Sequence, residues 1–393
     1  MSLTVAILGL AVLVLVHEAG HFFVARAVGM TPRKFYLGFG PPLVKRVRNG
    51  VEYGIAAIPL GGYVKIPGMH RPSPGDVRQS VPAEEQRRLA PELDELDAAL
   101  ERGDEESARA VVARLEPELP QNRQLQELDW SLAPDAYWRQ KAWKKVAVIA
   151  AGPLTNVLLA FVLFIGVYMV SQIHLTRTVD SVLRGSPAAA AGLRGGDEIV
   201  VIAGHRVTAS DISRTINGTH GRPFRIVVVR DERRVTIGPL RARLDQGFYR
   251  VGFRISAVSG AGEPFPTAVW DATRLTWLVT SETVKSVGGL FVGSGTHDIS
   301  SAVGIVRVTS QAARQSVQDY LWVIGLVSLS LALLNLLPVL PLDGGHIVMS
   351  LAERIRGRSF SQLAYMRYSA VGLTLFVFLL YLGLRNDFTG GPS

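Results

Sequence analysis

The chain has 393 residues, of which 48% are hydrophobic, and its formal net charge is +9. A positive mean hydropathy of +0.23, together with long apolar runs, predicts an integral membrane protein and argues against a wholly soluble one. The absence of cysteine excludes disulfides and thiolate metal ligands. The basic residues are dispersed and often flank apolar segments, so they indicate membrane topology and predict no nucleic-acid partner.

The first apolar segment carries a five-residue polar motif. Residues 1–30 are predicted to form the first transmembrane helix, with the apolar run extending over residues 3–28. The motif His17-Glu18-Ala19-Gly20-His21 interrupts this run. Because no basic residue precedes the run and it continues through the motif, we expect a retained helix and not a cleaved signal peptide.

The spacing of this motif indicates metal chemistry. Positions i and i+4 of a helix share one face, so His17 and His21 can bind one zinc ion while Glu18 serves as a general base. The same short pattern also occurs by chance in soluble helices, where the histidines lie on the surface or are satisfied in the core. Ionisable groups at membrane depth cost roughly 2.5–3.5 kcal/mol each and usually mark a function. This location therefore favours the zinc site.

Residues 31–69 have the composition of a β region. Asn49-Gly50 is a strong hairpin turn signal between the predicted strands 43–47 and 51–58, and residues 61–66 can add a further strand. One interpretation is a surface hairpin. The other is a membrane-reentrant sheet beside the metal, which is possible where protein or water covers the backbone.

The next two segments are predicted to be helical. Residues 70–136 form an acidic insertion, with helices at 84–100 and 105–115 around a turn at 102–104, and no chemistry is apparent in it. Residues 137–173 contain the second transmembrane helix, which follows an aromatic and basic boundary. It includes Ala151-Gly152-Pro153-Leu154-Thr155-Asn156, where small residues permit close helix packing and Asn156 can hydrogen-bond across helices.

Residues 174–258 are predicted to form a water-soluble α+β domain. Its expected strands are 179–183, 198–203, 224–230 and 234–237, with short helices at 187–191 and 210–217. The run 186–199 resembles the PDZ domains of bacterial proteases. Such domains take up peptide ends by strand addition, so this one either binds a peptide end or blocks access to the membrane site.

The C-terminal third contains two further predicted spans. Residues 259–316 form an interfacial segment with an amphipathic helix at 265–291, whose tryptophans favour a membrane surface and contact with lipid. Residues 317–358 contain the third transmembrane helix, which is broken by Asn335, Pro338 and Pro341. Residues 359–393 contain the fourth, at 369–384, and a tail.

The break places Asp343 at membrane depth. An aspartate after a proline and before a helix is an ordinary helix N-cap, which is one interpretation. A catalytic zinc, however, needs three protein ligands and an open position, and the HExxH motif supplies two. We therefore predict Asp343 as the third ligand. His346 is an alternative one helical turn further on, more consistent with a structural role.

Basic residues near the span ends predict the orientation. They place residues 70–136 in the cytoplasm, and both termini and the PDZ-like domain outside it. The residues used are Arg33, Lys34, Lys141, Lys144, Lys145, Arg354, Arg356 and Arg358.

Together these motifs resemble the site-2 protease family of intramembrane zinc metalloproteases, in particular its bacterial RseP-like type with a single PDZ domain. The motifs are HEAGH, AGPLTN, the PDZ-like run and residues 335–344, in the expected order. Two segments depart from the family pattern. Residues 70–135 are longer and more acidic than the connection usual in the family, and Ala302 occupies a position where the family usually has a proline.

The resemblance implies a polytopic α-helical membrane protein of about four spans, with residues 38–66 as a membrane-reentrant sheet. It implies zinc held by His17, His21 and Asp343, and Glu18 as the catalytic base. The substrate cleft would be shaped by Asn335, Pro338 and Pro341, together with Gly61 and Gly62 of the sheet.

The predicted function is hydrolysis of peptide bonds in transmembrane segments of single-pass proteins at the bacterial inner membrane. Family likeness suggests regulated intramembrane proteolysis of an anti-sigma factor or a remnant signal peptide. One alternative is a non-catalytic PDZ membrane scaffold. Another is a metal or proton transporter, although the sequence lacks the internal repeats common in transporters.

Overall fold

The computed structural model describes residues 2–245, 248–290, 302–360 and 362–389. The chain divides into two compact units, one formed by Met1–Ile165 and Val269–Ser393 and the other by Gly166–Ala268.

The helices and strands follow in chain order. Through the second predicted span they are α1 (Ser2–Ala27), β1 (Lys34–Arg48), β2 (Val51–Lys65), α2 (Ala83–Arg88), α3 (Ala90–Arg102), α4 (Glu105–Leu115), α5 (Arg123–Leu132) and α6 (Ala142–Val170). Next come β3 (Ser171–Val182), α7 (Pro187–Ala190), β4 (Glu198–Ile202), β5 (His205–Arg206), α8 (Ile212–Gly218), β6 (Phe224–Arg230), β7 (Arg233–Leu240), β8 (Arg243–Asp245), β9 (Phe248–Arg250) and β10 (Phe253–Ala261). The last are α9 (Phe265–Leu290), α10 (Ala302–Gln315), α11 (Val317–Asn335), α12 (Asp343–Arg356) and α13 (Gln362–Thr389).

Within the described residues, three helices are long and apolar enough to cross a membrane. They are Leu3–Ala27, Ala142–Val170 and Val317–Asn335, with hydropathies of 2.1, 2.3 and 1.7. They coincide with the first three predicted spans. The predicted fourth span lies inside α13, which is helical but is not one of these three candidates. The third span ends at Asn335, the first residue of the predicted break, and residues 336–342 form the non-helical segment before α12.

The predicted hairpin is present as β1 and β2. Asn49 and Gly50 have φ values of 51° and 75°, the left-handed pair that a tight two-residue hairpin turn requires. The strands pair antiparallel, and both are long enough to bend, so that Tyr36 is the partner of both Gly54 and Tyr63. Helix α1 packs against β2, which brings the sheet to the HExxH motif.

The insertion at residues 70–136 has a hydrophobic core of its own. The predicted helical hairpin is present in α3 and α4, and Gly103 ends α3 with a φ of 68°. Asp104 then caps α4 by accepting a hydrogen bond from the Ser107 backbone. Helix α5 was not predicted, although Asn122 caps it in the same way. The buried core residues include Leu93, Leu96, Val111, Leu115, Leu125 and Leu128.

The second unit is a β-rich domain with two short helices. Its main sheet has the order β10-β3-β4-β6-β7, with β5 beside β4, and β8 and β9 form a separate hairpin. All four predicted strands are present, but the pairing of β10 with β3 was not predicted. The core contains Ile199 and Ile202 of β4 and Ile226 and Val228 of β6.

The segment before α11 differs from its prediction. The expected amphipathic helix is α9, which ends at Leu290, and residues 291–301, including Ser300 and Ser301 of the atypical motif, lie outside the described residues. Ala302 begins α10, a helix that was not predicted and that packs against α1 and α11.

A buried ion pair holds the turn before β4. Asp197 is 1% exposed and accepts hydrogen bonds of 2.7 Å from Arg230 Nε and of 2.8 Å from the Arg194 backbone. Burial raises the pKa of Asp197, but these hydrogen bonds outweigh it, so that the pKa lies below the ordinary value. The charged carboxylate therefore stabilises the folded domain.

Replacing this carboxylate is predicted to destabilise the second unit. We expect Asp197→Asn to lower its free energy of unfolding by about 1–3 kcal/mol, because Arg230 loses a charged partner. The wild-type contribution is present above the unfolded Asp pKa and is lost as the pH falls through the lower folded pKa, whereas the variant lacks this dependence. Hydrogen–deuterium exchange of β4 and β6 measures both effects. Asp245→Asn, which breaks the exposed Arg250 pair, is the control and should change little.

Candidate metal centre

Three side chains from distant parts of the chain converge at one point. His17 and His21 lie one turn apart on α1, and each is 7% exposed. Their Nε2 atoms are 3.2 Å apart. Asp343 Oδ2 lies 3.2 Å from His17 Nε2 and 3.5 Å from His21 Nε2. One potential ligand atom of each residue thus lies within 4.8 Å of the others, close enough for all three to hold one metal ion.

Asp343 reaches this point because α11 and α12 are separate helices. It is the first residue of α12, the cap position is Leu342, and Asp343 Oδ2 is buried without a hydrogen-bond partner. The N-cap interpretation therefore does not describe this carboxylate. A Cβ on Gly344 would overlap the Leu336 carbonyl, and one on Gly345 would overlap the Leu340 backbone. The glycine pair thus lets α12 begin directly against the break.

The hydrogen bonding of His21 determines where its proton lies. Its Nδ1 is 2.8 Å from the carbonyl oxygen of Val148 on α6. A carbonyl only accepts, so Nδ1 carries the proton and Nε2 presents a lone pair towards Asp343. The lone pair of His21 Nε2 and the carboxylate oxygen of Asp343 therefore point at each other with no proton from His21 between them. A cation bound between these two atoms would be stabilised by both. Two imidazoles and a carboxylate are also a usual ligand set of catalytic zinc.

The close approach of α1 to α6 depends on two glycines. A Cβ on Gly20 would lie 2.6 Å from the Ala151 carbonyl oxygen, and a Cβ on Gly152 would overlap His21 Nε2. Thr155 Oγ1 also donates to the Val16 carbonyl at 3.2 Å. The sequence predicted close packing at residues 151–156, and the structure shows that this packing makes room for a candidate ligand.

Glu18 lies beside β2. A Cβ on Gly62 would be 3.1 Å from Glu18 Cγ and 2.8 Å from the Tyr36 carbonyl oxygen. The Val64 backbone, the two histidines and Asp343 all interact electrostatically with the Glu18 carboxylate. Gly62 therefore lets a strand pass directly beside the candidate base, whereas Gly61, at φ 104°, packs against the Phe39 ring.

The other predicted site residues lie at the break between α11 and α12. Asn335 ends α11 and is half-buried, while Pro338 and Pro341 are exposed. The Tyr368 hydroxyl donates a hydrogen bond to the Pro338 carbonyl. His346, the alternative ligand, does not belong to the converging group. Its ring centroid is 6.2 Å from that of Tyr365.

Sequence reasoning missed a buried connection between α6 and α12. Lys145 was interpreted as a basic residue of the membrane boundary, but it is 4% exposed and donates to Glu353 Oε2 at 2.9 Å. Tyr137 and Ser350 share a further buried hydrogen bond of 2.9 Å. A lysine at a span end gives no local signal of such a partner, because the partner is more than 200 residues away.

The apolar helices, the HExxH motif on α1 and the aspartate of α12 define a membrane-embedded metallohydrolase. The sequence model described as Peptidase family M50 matches residues 5–379, and the chain belongs to this family, that of the site-2 proteases. It is a zinc metalloprotease of the membrane.

Curated relatives match over nearly their whole length. A putative zinc metalloprotease of Mesorhizobium japonicum is 31% identical, over 97% of this chain and 96% of the relative. The metalloprotease MmpA of Caulobacter vibrioides is 29% identical, over 96% and 93%. The probable protease eep of Enterococcus faecalis is 25% identical, over 96% of each.

A methyl group at position 152 is predicted to disturb the metal centre. We expect Gly152→Ala to lower the zinc content of the purified protein strongly, because the new Cβ displaces His21 Nε2. Gly166→Ala on the same helix is the matched control, since a Cβ there has nothing within 4 Å. Zinc is measured by elemental analysis. Equal zinc in both variants would contradict the role given to Gly152.

Proposed function

We propose that the chain hydrolyses peptide bonds in or beside transmembrane segments of single-pass membrane proteins. In this proposal His17, His21 and Asp343 hold the zinc and Glu18 is the base. The observation that supports it is the convergence of the three candidate ligands beside a fourth, acidic side chain at a strand edge. The family's activity as an intramembrane zinc protease is consistent with this assignment.

The chemistry requires one proton to move. When bound, zinc acidifies water and polarises the scissile carbonyl. Glu18 takes the proton of the attacking water and delivers it to the amine that leaves, so the substrate is divided into a carboxylate and an amine. Asp343 supplies a negative charge, and the Val148 carbonyl holds His21 in the tautomer that leaves Nε2 free.

The substrate must reach Glu18 in an extended form. A transmembrane helix hides its carbonyls in its own hydrogen bonds, so it has to open before hydrolysis. The backbone of residues 62–64, which passes Glu18, offers a strand to which the opened segment can pair by strand addition. Asn335 and the prolines at 338 and 341 would line the other side of the cleft, where the Asn335 amide can donate a hydrogen bond to a freed carbonyl. This gives the β1–β2 sheet the role of a membrane-reentrant substrate holder.

The remaining surfaces fit a bacterial inner-membrane protein with a PDZ-like domain outside. Trp270, Trp277 and Val284 are exposed on α9 at intervals of seven residues, so they form one apolar stripe suited to lipid. Lys145 is paired inside the protein, and the other basic residues near the span ends carry the orientation argument. The insertion at 70–136 is then cytoplasmic. The second unit, whose fold is compatible with a PDZ domain, would bind a peptide end.

Two substitutions separate the base from the metal ligand. We expect Glu18→Gln to abolish cleavage of single-span model substrates while zinc is retained, because the amide cannot take a proton. We expect Asp343→Ala to lose both activity and zinc, because the site keeps only two ligands. Cleavage and zinc content are measured on the same preparations. Retention of full zinc by Asp343→Ala would refute the ligand assignment, and zinc-loaded wild type that cuts nothing would favour the scaffold.

The orientation is testable because the chain contains no cysteine. Glu101→Cys places a single thiol on the insertion, and Arg233→Cys places one on the second unit, both at exposed positions. In intact cells a membrane-impermeant maleimide should label the thiol at 233 and not the one at 101. Labelling of both after the membrane is opened is the control. The reverse pattern in intact cells would invert the proposed topology.

A further inference from the structure

Asn156 is a fully buried polar residue next to the metal centre. It lies on α6, it is 0% exposed, and its side-chain amide nitrogen is 3.4 Å from His17 Nδ1. Its amide oxygen Oδ1 is buried and has no hydrogen-bond partner. A buried amide with an unused acceptor costs free energy unless that acceptor has a task.

The tautomer of His17 connects this amide to the metal centre. For Nε2 of His17 to bind a cation it must present a lone pair, so the ring proton must lie on Nδ1. That proton needs an acceptor, and the side chain that faces Nδ1 is Asn156. An amide turned by 180° exchanges its oxygen and nitrogen at nearly the same positions. The turned amide would bring Oδ1, which lacks a partner, to the Nδ1 proton.

We propose that Asn156 is a positioning residue that accepts the Nδ1 proton of His17 and thereby fixes the tautomer and the ring orientation that zinc binding requires. His21 has the same arrangement, with the Val148 carbonyl as acceptor. Helix α6 then orients both histidines of α1, one through its backbone and the other through a side chain. This inference rests on the proposed metal site and adds a residue that acts on zinc only through His17.

The position of Asn156 itself is secured independently of its amide. The Ser328 hydroxyl of α11 donates to the Asn156 backbone carbonyl at 2.9 Å. This hydrogen bond holds the backbone of α6 to α11 at Asn156. The Asn156 side chain does not take part in it and contacts His17. Substitutions at 156 and at 328 can therefore separate hydrogen bonding to the ligand from packing between the helices.

The test measures zinc affinity by competition with a chromophoric chelator on the full-length protein in detergent. We expect Asn156→Leu, which has a similar size but no acceptor, to lower zinc affinity by about 10–100-fold. We expect Asn156→Asp to retain affinity close to wild type, because its carboxylate accepts the same proton. Ser328→Ala should lower thermal stability and leave zinc affinity unchanged. Asn156→Ala is measured in parallel, and it replaces the leucine variant if that variant does not fold.

Each outcome bears on a separate claim. Loss of affinity in Asn156→Leu or Asn156→Ala together with its recovery in Asn156→Asp supports the role as acceptor. Wild-type affinity in the variants without an acceptor overturns it, as does an equal loss in all three substitutions, which would indicate packing alone. A wild-type protein that holds no zinc would instead overturn the proposed function. His17→Ala removes a proposed ligand, so its zinc affinity shows how large a decrease the loss of one ligand causes.

Discussion

The close approach of α1 to α6 is the constraint on which the candidate metal centre depends. Gly20 and Gly152 remove the side chains that would keep the helices apart, and His21 then lies against α6 with its Nδ1 bonded to the Val148 carbonyl. Packing by small residues is the usual way in which membrane helices approach closely. Here the packing also serves chemistry, because the space left by Gly152 is filled by an imidazole.

The same helix α6 anchors the element that carries Asp343. Lys145 near the start of α6 forms a buried ion pair with Glu353 on α12. Tyr137, which precedes α6, shares a hydrogen bond with Ser350, which lies one turn before Glu353 on α12. Glu353 also accepts from the Phe360 backbone, so its second oxygen is satisfied. Removing one partner of a buried pair typically costs about 3–5 kcal/mol, because the other charge remains unpaired. The two histidines and the aspartate are therefore positioned against one common helix, although they are more than 300 residues apart in sequence.

The sequence predicted what local patterns encode. The long apolar run predicted α1, the i, i+4 spacing predicted that His17 and His21 share one face of it, and Asn49-Gly50 predicted the hairpin between β1 and β2. For Asp343, local reasoning left two interpretations, a cap or a ligand, and its position beside His17 and His21 favours the ligand. Helices α5 and α10 were missed although both are amphipathic, and Asn122 at the start of α5 is a cap signal. Strand β10 was missed because its partner β3 is distant in sequence. The ion pair of Lys145 was missed because its partner, Glu353, lies on a distant helix, and a span-end lysine usually faces the lipid headgroups.

The passage of β2 beside Glu18 has a consequence for selectivity. A strand that binds its partner through main-chain hydrogen bonds contacts peptide groups, which all residues share. Such binding discriminates little among substrate side chains. Under the proposed mechanism, substrates would then be ranked by how easily their helices open. Opening a helix in hydrocarbon exposes backbone groups at a cost of several kcal/mol each. Helix-breaking residues such as glycine, proline and asparagine lower that cost, so the enzyme would select its substrates by conformational weakness and not by a consensus sequence.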